Sequence, residues 1–286
     1  MTGPQSYPLA CAAARVLPGA ADPALARFAA TLAARLRPDR ERAARQNLAV
    51  LSPDWNSSQV ARAARAAHTA YARFLIEYLR HAGRPEGLGR RAEFVADDSF
   101  HRARREGRGI VVGAAHVGNW EVGALALAAT GASTMVVTGE QYAPAWQERV
   151  RRDKLRAGLL VVGRGESPRR LWRHLSAGGA VCLLVDGDVF GHGWPARVGG
   201  RRVLLPNGPA RLAAGSGSLL AGALCHRTRA GFRVELESLE SPPGAAARDP
   251  RALHAAVAAW LERTLARHAD EWCLFRPFFP TEGGGA

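Results

Sequence analysis

The stretch GIVVGAAHVGNWEVGALAL, residues 109–127, sets His116 and Glu121 five positions apart at the end of an apolar run. A histidine near neutral pH can take a proton from an attacking hydroxyl. A carboxylate on its other ring nitrogen would fix the tautomer and stabilise the imidazolium. The spacing alone proves nothing. Nine histidines and 25 acidic residues in 286 positions give about 0.8 pairs at any fixed offset by chance. Indeed His81…Glu86 and His101…Glu106 share the offset.

Context separates the three. His81 sits beside Gly and Pro at the end of a helical stretch, and His101 lies in an arginine-rich one. Only His116 follows an apolar strand, with Gly113 and Gly118 loosening the chain and a helix opening near Asn119. The carboxyl ends of parallel strands are where open α/β sheets bind ligands. A helix N-terminus there offers free N–H groups to a developing oxyanion. On a regular helix, five residues turn through about 500°, so His116 and Glu121 converge only if HVGN forms a turn. A strand-end histidine satisfied by backbone is the plainer alternative.

The elements around this segment fall into two parts. Residues 1–90 read as helical. In DPALARFAATLAARLRP, Asp22 is a cap candidate and Pro23 takes the first turn. Leu25, Phe28, Leu32 and Leu36 make one apolar stripe with arginines beside it. Such a stripe more often packs on a core; a basic amphipathic helix also lies in lipid interfaces. A longer helix follows Ser57, burying Val60, Ala64, Ala67, Tyr71, Phe74, Leu75 and Tyr78. From about Glu93, short β-branched runs alternate with helical segments: EFVA, GIVVGAA, STMVVTG, GLLVVG, AVCLLVD, RRVLL, SLLAGALCHR and FRVELES. That alternation predicts an α/β fold, a mainly parallel central sheet flanked by helices, with an N-terminal helical portion. Residues 91–286 form its core, continuous with the first 90. A last helix spans roughly 250–269.

Net charge is +14, almost all arginine, with Lys154 the only lysine. A basic surface favours anionic partners. The basic residues are spread along the chain, without a nucleic-acid reader motif, so nucleic acid is not expected as a partner. Cys11, Cys182, Cys225 and Cys273 show no CxxC or ligand spacing and read as structural thiols in a reduced compartment. Asp186 and Asp188 in DGD could suggest Mg²⁺, but no further acidic cluster supports a metal. GRGESP at 163–168 lacks the third glycine of a dinucleotide fingerprint. Pro8, Pro18 and Pro23 break the early apolar stretch well short of the about 20 residues a span needs. No signal peptide is convincing. Any membrane is therefore met from its surface.

HVGNWE in this setting resembles the HX4D/E motif of the bacterial lipid A biosynthesis (lauroyl/myristoyl) acyltransferase family, which includes phosphatidylinositol mannoside acyltransferases. RQNLAVLSPDW (45–55), LLVDGDVFG (183–191), LPNGPARLAAGSGS (205–218) and EWCLFRPF (271–278) are similar to further blocks of that family, in its order. The resemblance implies transfer of a fatty acyl chain from an acyl thioester, acyl-CoA or acyl carrier protein, to a hydroxyl of a membrane-associated lipid acceptor, with no resident cofactor. It implies His116 as general base, with Glu121 or Asp186 orienting it. The mannoside-acylating relatives carry a glutamate at the place of Asp186, one methylene longer.

An activated thioester needs no covalent acyl-enzyme, and no serine or cysteine adjoins His116. Asn119, Trp120 and Gly208, within the resembling blocks, are expected to contact substrate. Trp120 either lines an acyl channel or merely packs. Arg149, Arg152 and Arg156 share a helical face that could meet phosphates; a solvated face is equally consistent. The lipid A enzymes' N-terminal membrane helix is missing here. The early helix and arginine-rich surface would then anchor the protein peripherally, at the cytoplasmic face of the inner membrane. The competing class is a non-catalytic binder of anionic lipid or nucleic acid on the same fold.

Overall fold

A computed structural model describes residues 6–139, 144–163, 166–188, 191–229, 231–241 and 244–280. Residues 164–165 of the GRGESP stretch and 189–190 of LLVDGDVFG lie outside them. Four long helices come first: α1 (Ser6–Val16), α2 (Asp22–Leu36), α3 (Pro38–Leu51) and α4 (Ser57–Arg80), followed by the short α5 (Glu86–Arg90). The alternating part is β1 (Ala92–Ala96), α6 (Asp98–Arg105), β2 (Ile110–Gly118), α7 (Trp120–Ala129), β3 (Thr134–Thr138), α8 (Pro144–Arg156), β4 (Leu160–Gly163), α9 (Arg169–Ser176) and β5 (Ala180–Leu184). Then come β6 (Trp194–Val198), β7 (Arg201–Leu205), α10 (Gly208–Ser216), β8 (Leu219–Arg227), β9 (Phe232–Ser238) and α11 (Pro250–Arg267).

Seven strands form one sheet in the order β1-β9-β8-β2-β5-β3-β4. Every neighbouring pair is parallel except β8–β9. The expected architecture is present, with helices on the sheet. Two details differ from the sequence reading. RRVLL is not in the central sheet but pairs antiparallel with β6, a short strand that Pro195 disguises. The antiparallel β8–β9 hairpin reverses the direction of the sheet's β1 edge.

One hydrophobic cluster joins the two parts of the chain. Leu48 and Leu51 of α3 and Val60 and Ala64 of α4 pack with Val111 of β2, Val181 of β5 and Leu261 of α11. Asn47, fully buried on α3, adds a polar staple. Its Nδ2 donates to the carbonyls of Leu274 (3.3 Å) and Arg276 (2.8 Å), and its Oδ1 accepts from the N–H of Phe278 (2.9 Å). Buried polar groups persist where such bonds satisfy them. This one fixes the C-terminal stretch on the helical portion.

α4 starts with a capping box between Asn56 and Gln59. α2 departs from expectation. Asp22 is not its cap: the carboxylate is paired with Arg80 of α4. The buried face is Ala26 and Ala30, small enough for close approach to α4. The expected apolar stripe instead points outward, with Phe28, Leu32 and Leu36 at 68%, 45% and 68% exposure. Among the described residues, no helix is long and apolar enough to cross a membrane.

Candidate active site

β2 and β5 are adjacent and parallel, in register from Ile110–Ala180 to Ala114–Leu184. The next rung is the N–H of Val185 donating to Ala114 O at 2.8 Å. Two residues beyond the last pair, in step on both chains, stand His116 and Asp186. Here the Asp186 carboxylate takes over the ladder. Its Oδ2 accepts from the His116 backbone N–H at 2.8 Å, and its Oδ1 lies 2.8 Å from the His116 ring Nδ1. The aspartate is long enough because the strand register does the reaching. A bulge between Ala114 and Gly118 in the β2–β8 pairing re-aims the strand at this point. Gly118 ends it with φ +62°, and an added Cβ there would fall 2.1 Å from Cys225 O. Only glycine fits that approach.

A second layer holds the pair. Trp272 donates its indole N–H to Asp186 Oδ2 at 2.9 Å, and the N–H of Cys273 donates to His116 O at 2.7 Å. Asn47 pins the continuation of this same stretch. Asp186 is completely buried. Burial alone would raise its carboxyl. The His116 ring and backbone N–H, with the Trp272 indole, hold it below the usual carboxylate range. The His116 side chain retains 16% exposure. With Nδ1–H donating to the carboxylate, Nε2 is left as the basic nitrogen.

Glu121 does something else. HVGN is bulged strand rather than a turn, so α7 carries Glu121 onward. Its carboxylate is buried and accepts from Lys154 Nζ of α8 at 2.8 Å. The chain's one lysine is thus a buried partner, not a surface charge. Trp272 was missed as a partner of Asp186, because 86 residues separate them and only the fold connects them.

Asn119 is 5% exposed and caps α7, its Oδ1 accepting from Val122 N–H at 3.2 Å while its Nδ2 donates to Glu77 at 3.3 Å. Glu77 in turn pairs with Arg227 and Arg73. Trp120 stands edge-on to His116, with ring centroids 4.9 Å apart, and stacks on Phe74 at 4.6 Å. Its buried indole N–H has no acceptor among the described residues. The ring also borders an apolar cavity of about 30 Å³ between the sheet and α7, with Val112, Leu127, Cys182 and Cys225 among its walls.

Arg152 pairs locally with Glu148 (3.2 Å) and Arg156 with Asp153 (3.7 Å), so two of the three arginines on α8 are already engaged. Gly208 opens α10 beside Leu183, where an added Cβ would make ordinary contact at 3.9 Å. Asp188 accepts from the N–H groups of His192 (3.2 Å) and Gly193 (2.7 Å), as a loop clasp. The His81 ring Nδ1 lies 3.0 Å from the carbonyl of Glu77 in the helix it ends, and His101 is exposed. Neither has a carboxylate partner among the described residues.

A mostly parallel sheet thus carries a buried histidine–carboxylate pair at its carboxyl edge, where open α/β sheets bind ligands. Residues 7–281 match the bacterial lipid A biosynthesis acyltransferase family, and the chain belongs to it. This is a family of lipid acyltransferases. The chain is also similar to a phosphatidylinositol mannoside acyltransferase of Mycolicibacterium smegmatis (strain ATCC 700084 / mc(2)155). The two are 26% identical over 219 residues, covering 74% of this chain and 71% of that one.

Proposed function

We propose that the protein transfers a fatty acyl chain from an acyl thioester to a hydroxyl of a membrane-associated lipid, with His116 as general base. The observation that carries this is the 2.8 Å contact between His116 Nδ1 and a fully buried Asp186 carboxylate, beside a ring that solvent still reaches. Asp186 holds the Nδ1–H tautomer and stabilises the imidazolium. Nε2 takes the proton of the acceptor hydroxyl as its oxygen attacks the thioester carbon. The tetrahedral oxyanion collapses, the C–S bond breaks, and the imidazolium returns its proton to the departing thiolate. The N–H groups of Trp120 and Glu121, ahead of the Val122 N–H that Asn119 caps, and the Trp120 indole N–H are the donors at hand for the oxyanion. No acyl-enzyme and no resident cofactor are required.

Glu121 acts through Lys154 by fixing α7 against α8, which sets the position of Trp120. The cavity behind Trp120 is the candidate start of an acyl channel. At about 30 Å³ it is far below the roughly 300–1,000 Å³ of ligand pockets, so a chain must displace Trp120 or α7 to enter. The donor is acyl-CoA or an acyl carrier protein. The acceptor class, suggested by the mannoside-acylating relative, is a glycosylated phospholipid. The exposed stripe of α2 gives a peripheral hold on the cytoplasmic face of an anionic membrane.

The test is acyl transfer from radiolabelled acyl-CoA and acyl carrier protein to a panel of glycolipid acceptors, with wild type and His116→Ala compared. Labelled lipid product that depends on His116 supports the reading. Equal product from both proteins overturns the role of His116.

A further inference from the structure

α2, α3 and α4 enclose a cleft of about 520 Å³ whose walls do not include His116 or Asp186. Its charged walls are unbalanced. Arg27 and Arg35 of α2, Arg45 of α3 and Arg65 of α4 face one carboxylate, Glu41. Glu41 is already committed: its Oε1 accepts from Arg45 Nε at 2.6 Å, and its Oε2 lies 3.1 Å from His68 Nε2 at the floor. His68 is buried and stacked on Phe275, with centroids 4.2 Å apart; burial pulls it below its ordinary value against the opposing pull of Glu41. The guanidinium groups of Arg27, Arg35 and Arg65 have no carboxylate partner among the described residues. Three unpaired, forked cations around one recess are what a tetrahedral oxyanion of phosphate calls for.

The cleft has a neighbour that narrows the source of that phosphate. Arg27, Thr31 and Arg35 form one stripe of α2, and Phe28, Leu32 and Leu36 form the next, about 100° further round. The second stripe is the exposed apolar one. Among the described residues, six of the ten exposed large hydrophobic ones lie on or beside α1 and α2: Leu9, Val16, Leu17, Phe28, Leu32 and Leu36. An apolar ridge abutting an arginine-lined recess matches the layering of a bilayer surface, with acyl tails below and phosphates above.

We infer that the α2–α3–α4 cleft is a second lipid site, which seats the phosphate of an anionic phospholipid head group while the adjacent ridge of α2 enters the lipid. The inference rests on the peripheral-membrane reading above and gives it a defined head-group contact, in a cleft lined by residues other than His116 and Asp186. A row of ring contacts links the two places, His116–Trp120–Phe74–Tyr71–Phe275–His68. Seating the cleft on a head group therefore also fixes the height of His116 above the lipid surface.

The experiment is co-sedimentation of the full chain with phosphatidylcholine vesicles, with and without phosphatidylglycerol, at fixed ionic strength. Arg27→Gln/Arg65→Gln is compared with Arg102→Gln/Arg105→Gln on α6, which removes the same charge elsewhere. Neither pair makes an ion pair among the described residues, and melting curves check the fold; Arg35→Gln serves if the first variant is destabilised. The cleft pair should weaken binding to phosphatidylglycerol vesicles about tenfold more than the control pair. Equal weakening by both pairs, or none by the cleft pair, overturns the site. Titration with inorganic phosphate forms a second arm. Phosphate binding lost in the cleft pair while vesicle binding is kept would mean a soluble phosphate ligand, and would overturn the lipid assignment. His116→Ala should bind vesicles like wild type, so this readout stands or falls independently of acyl transfer.

Discussion

Asp186 reaches His116 through strand register: each lies two residues beyond the Ala114–Leu184 pair, and the carboxylate bonds both the ring and the backbone N–H of the histidine. The same carboxylate accepts from Trp272. Three donors on one buried group make an orienting device with little freedom. Its geometry belongs to β2, β5 and the C-terminal stretch together.

Asp186→Asn keeps the volume but presents an amide where three donors converge. Turnover should fall by about 10²–10⁴, the range of general acid–base contributions, with KM little changed. Trp272→Phe removes one donor and keeps an aromatic ring. It should lower kcat by about 1.5–3 kcal/mol, the worth of a hydrogen bond to a charged group, again without a matching change in KM. A rise in KM alone in either variant would place these residues in substrate binding instead.

The acid limit of stability follows from the same carboxylate. Its folded pKa lies below the unfolded value of about 3.9, so its contribution is complete above that value and is lost as pH falls through the folded one. Melting temperature measured against pH should show wild type well above Asp186→Asn near neutrality, and the gap closing below about pH 4. A gap that stays constant into acid would contradict the assignment.

Glu121 and Lys154 form a buried pair, each side chain 8% exposed. Removing one partner strands the other charge, so Glu121→Gln or Lys154→Met should each cost about 3–5 kcal/mol in denaturant unfolding. The double variant should recover most of the loss. Recovered stability with recovered turnover marks Glu121 as positioning α7. Recovered stability with turnover still absent would mean that Glu121 takes part in the chemistry.

The outward stripe of α2 is tested by Phe28→Ser/Leu32→Ser. Both side chains are largely exposed, so the melting temperature should hold within the small range of surface substitutions. Vesicle binding should fall sharply. Unchanged binding would remove α2 from the membrane contact.

Much of this arrangement is written locally in the chain. The apolar run before His116, the glycines around it and the helix that follows single out this histidine over His81 and His101. Periodicity also gives most strands and the helices between them. What is not local is not legible. The choice between Glu121 and Asp186 depends on the β2–β5 register, and the role of Trp272 on a contact spanning 86 positions. Lys154 is burial-dependent, and charge alone places a lysine outside. The facing of α2 follows from Ala26 and Ala30 fitting α4 more closely than Phe28 and Leu32 would, which no helical wheel ranks. β6 was hidden because Pro195 and Arg197 interrupt a short strand whose partner is itself outside the main sheet.

The most direct measurement is single-turnover acyl transfer to a lipid hydroxyl by His116→Ala beside wild type, with His81→Ala and His101→Ala as matched controls. The account predicts a loss of about 10²–10⁴ in the chemical step for His116→Ala, with folding and vesicle binding intact, and full rates for both controls. A wild-type rate from His116→Ala would contradict it.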